Sequence, residues 1–77
     1  MKRQTYTAVT EIEGRVPVTV TKYAHNSALD AAKSALRDAG GTWERGTVTK
    51  TPERTIVRYT RERDGLPATI TVTRPTA

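Results

Sequence analysis

The chain has 77 residues, 35% of them apolar and none phenylalanine, and carries a formal net charge of +5. A domain of this size buries only about 60% of the surface its unfolded chain exposes, which leaves little apolar material for a deep catalytic cleft. The sequence has no cysteine, so disulfides and thiolate metal sites are excluded.

No apolar run approaches the ~20 residues that cross a membrane. The stretch Met1-Lys2-Arg3-Gln4 leads into a polar strand pattern rather than a signal-peptide core. Both features fit a cytoplasmic protein with no membrane partner. Threonine is the commonest residue, and its branched Cβ suits a pleated surface. Many threonines with few large apolar residues predict a sheet with one buried face and one wet face.

Thr5 to Glu13 alternates, with Tyr6, Ala8 and Ile12 as the expected inner face. Gly14-Arg15 reads as a turn. Val16, Val18 and Val20 then alternate with Pro17, Thr19 and Thr21. Pro17 lacks an N–H, so this strand should start near it or lie at an edge. Together the two runs predict a hairpin. Ala28, Leu29, Ala32, Ala35, Leu36 and Ala39 change the period to that of a helix, over about 27–39. Ser27 with Asp30 three residues later resembles a capping box, with Asn26 as a rival cap. Gly40-Gly41 supplies the stop.

Three strands follow. In the first, over about 42–50, Trp43 and Val48 have opposite parity, and a bulge at Arg45-Gly46 would turn both to the core. After the turn Thr51-Pro52-Glu53-Arg54, residues 55–61 form the next strand, with Val57 and Tyr59 inward. Arg63-Asp64-Gly65 is a hairpin signal, and Ala68, Ile70 and Val72 alternate with Thr69, Thr71 and Thr73 in the last strand. The expected fold is α+β: a single domain over 1–77, with one antiparallel sheet of about five strands in the order β-β-α-β-β-β, one helix on one face, and a tail over 74–77.

Enzymatic constellations are missing from this reading. His25 is the only histidine and lies just before the helix, where a flanking role outweighs one as base or ligand. Gly40-Gly41 closes a helix rather than opening one over a phosphate. Glu11 and Glu13 share a strand face, but at a hairpin end they read as solvated carboxylates. No nucleophile, base and oxyanion donors come together, so the expectation is a non-enzyme without metal or cofactor.

Cationic chemistry is present. Lys33 and Arg37 are four apart on the helix and share one outward face. Arg45, Arg58, Arg61 and Arg63 lie on the later strands and turns, and Lys22 precedes Tyr23 at the junction of strand and helix. Arginine outnumbers lysine nine to four, and its planar fork suits phosphates and carboxylates. These seven residues are the candidate contacts. The rival reading is a solvated surface balanced by Glu44, Glu53, Glu62 and Asp64 through exposed ion pairs of little worth. Trp43, Tyr6 and Tyr59 are expected in the core, which leaves Tyr23 as the exposed aromatic. That is too few for an aromatic platform binding single-stranded RNA.

The helix segment Ala31-Ala32-Lys33-Ser34-Ala35-Leu36-Arg37-Asp38, the following strand segment Gly46-Thr47-Val48, and Tyr59 leading to Glu62-Arg63-Asp64-Gly65 resemble small phage-encoded anti-CRISPR proteins that inhibit type I Cascade surveillance complexes. The resemblance covers the C-terminal two-thirds of the chain. It implies a protein that binds the backbone subunits of Cascade through basic residues, blocks target DNA binding, and associates non-specifically with double-stranded DNA. Lys33 and Arg37 would be the first contacts, with Arg58, Arg61 and Arg63 next; the N-terminal hairpin falls outside the resemblance. Two alternatives stand beside it: a free-standing nucleic-acid-binding module, and a phage protein-interaction module whose charge is incidental. Monomer and dimer remain equally open.

Overall fold

Successive side chains of an extended strand point to opposite sides, and this alternation sorts the residues of the sheet onto two faces. The computed structural model describes residues 4–75. The chain runs β1 (Tyr6–Ile12), β2 (Val18–Lys22), α1 (His25–Ala39), β3 (Trp43–Lys50), β4 (Arg54–Arg61) and β5 (Pro67–Thr73). The strands form one antiparallel sheet in the order β2-β1-β5-β4-β3 with α1 on one face, the α+β arrangement expected from the sequence. Local pattern alone does not reveal that β5 lies between β1 and β4. The first and last strands are therefore neighbours, with Thr7 opposite Thr73 and Ile12 opposite Ala68.

The inner face carries Ala8, Thr10 and Ile12 from β1, Ala68, Ile70 and Val72 from β5, and Thr55, Val57, Tyr59 and Arg61 from β4, all buried. Ala28, Ala32, Leu36 and Ala39 of α1 close over them. Leu36 is the one large helix residue in that buried set, with Leu29 only half-buried. The small residues bring helix and sheet into close approach. The Thr10 hydroxyl donates to the Ala32 carbonyl at 3.0 Å, so even a short strand side chain reaches the helix backbone. A buried hydrogen bond of this kind contributes about 1 kcal/mol net.

Tertiary contacts rather than a cap fix the start of α1. The helix begins two residues before the expected Ser27, Ala24 occupies the N-cap position, and neither Ser27 nor Asn26 caps it. Instead the His25 ring meets Tyr6 edge-on at 5.9 Å, with Nε2 3.3 Å from the Thr55 hydroxyl. The helix ends as expected: Gly40 takes a left-handed φ of 85° and its N–H donates to the Arg37 carbonyl at 3.0 Å.

The β3–β4 register shifts between Arg45 and Val48, where the bulge is expected. It places Trp43, Arg45 and Val48 on one face, opposite Arg61, Tyr59 and Val57. Val48 nevertheless stays 41% exposed, contrary to its expected core position. The reason is the placement of α1, which packs on β1, β2 and β5 and meets β3 at Trp43 rather than at Val48. Pro17 precedes an edge strand, as expected, and Val16 lies outside that strand, 85% exposed. The outer face is dominated by threonine: Thr7, Thr19, Thr21, Thr69, Thr71 and Thr73 surround Val9 and Ile56. The tail expected from Arg74 is tied back at its first residue, whose N–H donates to the Glu53 carbonyl at 2.9 Å; its last two residues, like the basic 1–3, lie outside the described residues.

Candidate anion-binding cleft

Because α1 leaves the inner face of β3 uncovered beyond Trp43, a trough runs between the helix flank and that edge strand. Beside Trp43 it forms an open cleft of about 410 Å³ lined by Lys33, Leu36, Arg37, Gly41, Trp43, Arg45 and Tyr59. Helical spacing puts Lys33 and Arg37 on the same flank. The Gly40-Gly41 stop returns the chain beside the last helical turn, and Arg45 reaches the cleft because it pairs with Tyr59 on the inner face. Arg37 stands in the last turn of α1, where a cation is favoured by the helix dipole.

Three cations and an indole thus meet, with no carboxylate among the described residues that line the cleft. Asp30 is the acidic neighbour, 4.0 Å from the Lys33 ammonium and largely exposed; an ion pair of that kind contributes little. Burial pushes the Tyr59 hydroxyl above its ordinary range, and Arg45 is near enough to oppose that rise.

Arg61 ties the end of α1 to the β4–β5 turn beside the cleft. It is 8% exposed. Its Nε and Nη2 donate to the two Asp64 carboxylate oxygens at 3.0 and 2.7 Å. Nη1 donates to the Ala39 and Gly40 carbonyls at 3.1 and 3.4 Å. These satisfy acceptors that a helix C-terminus leaves without partners. The guanidinium also lies 5.4 Å from the centre of the Trp43 ring, while the Trp43 indole N–H donates to the Leu36 carbonyl at 2.9 Å. Paired in this way, Arg61 is held above its ordinary pKa and Asp64 is lowered to about 2. Arg61 is therefore removed from the set of surface contacts: its charge is committed within the fold.

The other candidates divide. Lys33, Arg37 and Arg45 converge. Arg63 is exposed in the β4–β5 turn, with its Nε close to Gly41 at the end of the cleft. Arg58 is exposed on the opposite face of the sheet, between Thr69 and the β3 bulge, and Lys22 ends the far edge strand. Trp43, expected in the core, is half-buried and forms a cleft wall. Its position just after a helix stop, within reach of the last turn, is the signal that could have placed it there. Tyr23 is 63% exposed but lies at the opposite end of α1, just before its first residue.

Among the described residues, no group of three or more His, Asp or Glu side chains is placed to hold a metal ion, and no helix is long and apolar enough to cross a membrane. Comparison with protein-family models, with curated proteins and with solved structures finds no match to this chain.

Proposed function

We propose that this protein is a non-enzymatic binding module whose cleft between α1 and β3 grips the phosphate backbone of a nucleic acid. The observation that carries this reading is the convergence of Lys33, Arg37 and Arg45 around the half-buried Trp43, with no carboxylate among the described residues that line the cleft. Separated along the chain, these cations are brought to one place by the helix stop and the β3–β4 pairing. Arginine and lysine position phosphates, and an indole offers a stacking surface for an unpaired base.

A second reading uses the same cleft with a protein as occupant, namely the backbone subunits of a type I Cascade complex. Tryptophan and arginine side by side in a cleft favour it, because these residues dominate binding energy at protein interfaces.

Trp43 is the only tryptophan, so its emission reports on the cleft directly. Titration with duplex and single-stranded oligonucleotides should change that emission. With three phosphate contacts on a duplex, affinity should fall ~40-fold between 50 and 200 mM salt, from a slope of about −0.9 per contact. Lys33→Glu with Arg37→Glu should abolish binding, and Arg58→Glu on the opposite face should leave it intact. Affinity indifferent to salt, or equal loss in both variants, overturns the nucleic-acid reading. Co-elution with Cascade that target DNA prevents, without binding to bare DNA, would establish the second reading instead.

A further inference from the structure

We propose that the protein associates with a second copy of itself through the β2 edge, forming a continuous ten-stranded sheet about a two-fold axis at Val20. The surface is independent of the cleft, which lies at the other edge of the sheet.

The two edges of the sheet differ in kind. β3 carries a bulge, a glycine and the charges Glu44, Arg45 and Lys50, devices that block strand addition. β2 presents the run Val18-Thr19-Val20-Thr21, β-branched and uncharged, with Lys22 at its end. Beside it is an apolar groove of about 540 Å³ beneath α1, lined in part by Val16, Val18, Val20, Ala31 and Ala35. Val18 is 47% exposed at its mouth.

Self-pairing fits this edge in register, charge and dimension. An antiparallel pair centred on Val20 sets Thr19 against Thr21 of the second copy twice, and Val18 against its Lys22. Helix α1 runs back along β2, so Asp38 lies over the Val16–Val18 end with Arg15 in the same groove. The Lys22 ammonium of the second copy then arrives beside Asp38, an opposite charge with no ion-pair partner among the described residues. Strands lie about 4.8 Å apart, and α1 sits over β1 and β2. The two helix axes would therefore stand roughly 10–14 Å apart, the near end of which approaches helix-packing distance. The two grooves would merge into one largely apolar seam beneath helix flanks that turn Ala31, Ser34 and Ala35 toward it, with Asp38 at the end that meets Lys22.

The test is sedimentation velocity of the full chain over a range of micromolar to sub-millimolar concentration. Wild type should pass from monomer to dimer as concentration rises. Thr19→Lys with Thr21→Lys sets like charges opposite each other twice and should weaken the dimer by about tenfold or more. Thr19→Glu with Thr21→Lys sets opposite charges in the same positions and should restore it. Both positions are exposed, and circular dichroism establishes that each variant is folded. A wild type that stays monomeric throughout overturns the proposal. So does a lysine pair that dimerises like wild type, or a glutamate–lysine pair that does not restore association.

Discussion

Replacing Leu36 with alanine tests how the helix is held. The buried helix residues are Ala28, Ala32, Leu36 and Ala39, so one isobutyl group supplies most of the large apolar contact between α1 and the sheet. Truncation removes three carbons, about 2.4 kcal/mol at ~0.8 kcal/mol each. The incompletely collapsed cavity raises the cost to about 3–4 kcal/mol. A 77-residue domain has roughly 4–12 kcal/mol to lose. At about 4–8 °C per kcal/mol for this size, Leu36→Ala should lower Tm by roughly 12 °C or more, read by thermal circular dichroism and by guanidinium unfolding. Leu29→Ala, at a half-buried position, should cost about half as much. Equal losses in the two variants, or a loss below about 1 kcal/mol for Leu36→Ala, would refute the view that a single leucine anchors an otherwise alanine-lined helix.

Two further predictions concern the Arg61 network. Asp64 titrates near 2 in the fold against an ordinary 3.8. Its stabilising contribution is thus complete above about pH 4 and is lost as pH falls towards 2. The Tm difference between wild type and Asp64→Asn should shrink across that window, and a difference constant with pH would contradict the assignment. Gly14 and Gly41 both have left-handed φ, 82° and 84°, but only at Gly41 would a Cβ meet a neighbour, 2.8 Å from Arg61 Cδ. Gly14→Ala should cost about 1–2 kcal/mol for its backbone alone. Gly41→Ala should cost more and raise the Asp64 pKa, measured by NMR titration; equal costs and an unmoved pKa would show that Arg61 is not crowded there.

The residues legible in the sequence are those whose position is set by near neighbours. The alternation of Ala68, Ile70 and Val72, the left-handed Gly40 and the bulge after Arg45 are all local matters of period or backbone freedom. Local pattern misleads where a distant element decides. Val48 was expected in the core, and its face is right, but its exposure depends on how far α1 reaches across the sheet. Ser27 and Asn26 offered capping chemistry that contacts of His25 with Tyr6 and Thr55 made unnecessary. Arg61 looked like a surface cation because its type and hairpin position suggested one; its burial requires the helix C-terminus to arrive beside it. Thr10 has inner-face parity, yet a polar residue there becomes intelligible only once a helix carbonyl is seen within reach. In the cleft, Lys33 and Arg37 were paired by helical spacing, whereas Arg45 and Trp43 join them only through the strand order.

The adjacency of β1 and β5 governs how the protein can be made. Synthesis delivers the N-terminal hairpin and helix first and the β3–β4–β5 meander last. Every bond between these halves of the sheet runs through the pairing of β1 with β5. Until residues 67–73 have left the ribosome, β1 has one open flank and α1 lacks the Ile70 and Val72 surface beneath it. The sheet can therefore close only once β5 is free to pair, and closing it requires contacts between residues far apart in the chain, the kind that form slowly. A stop codon between β4 and β5 would leave two partial sheets with exposed edges rather than a shortened version of the same fold.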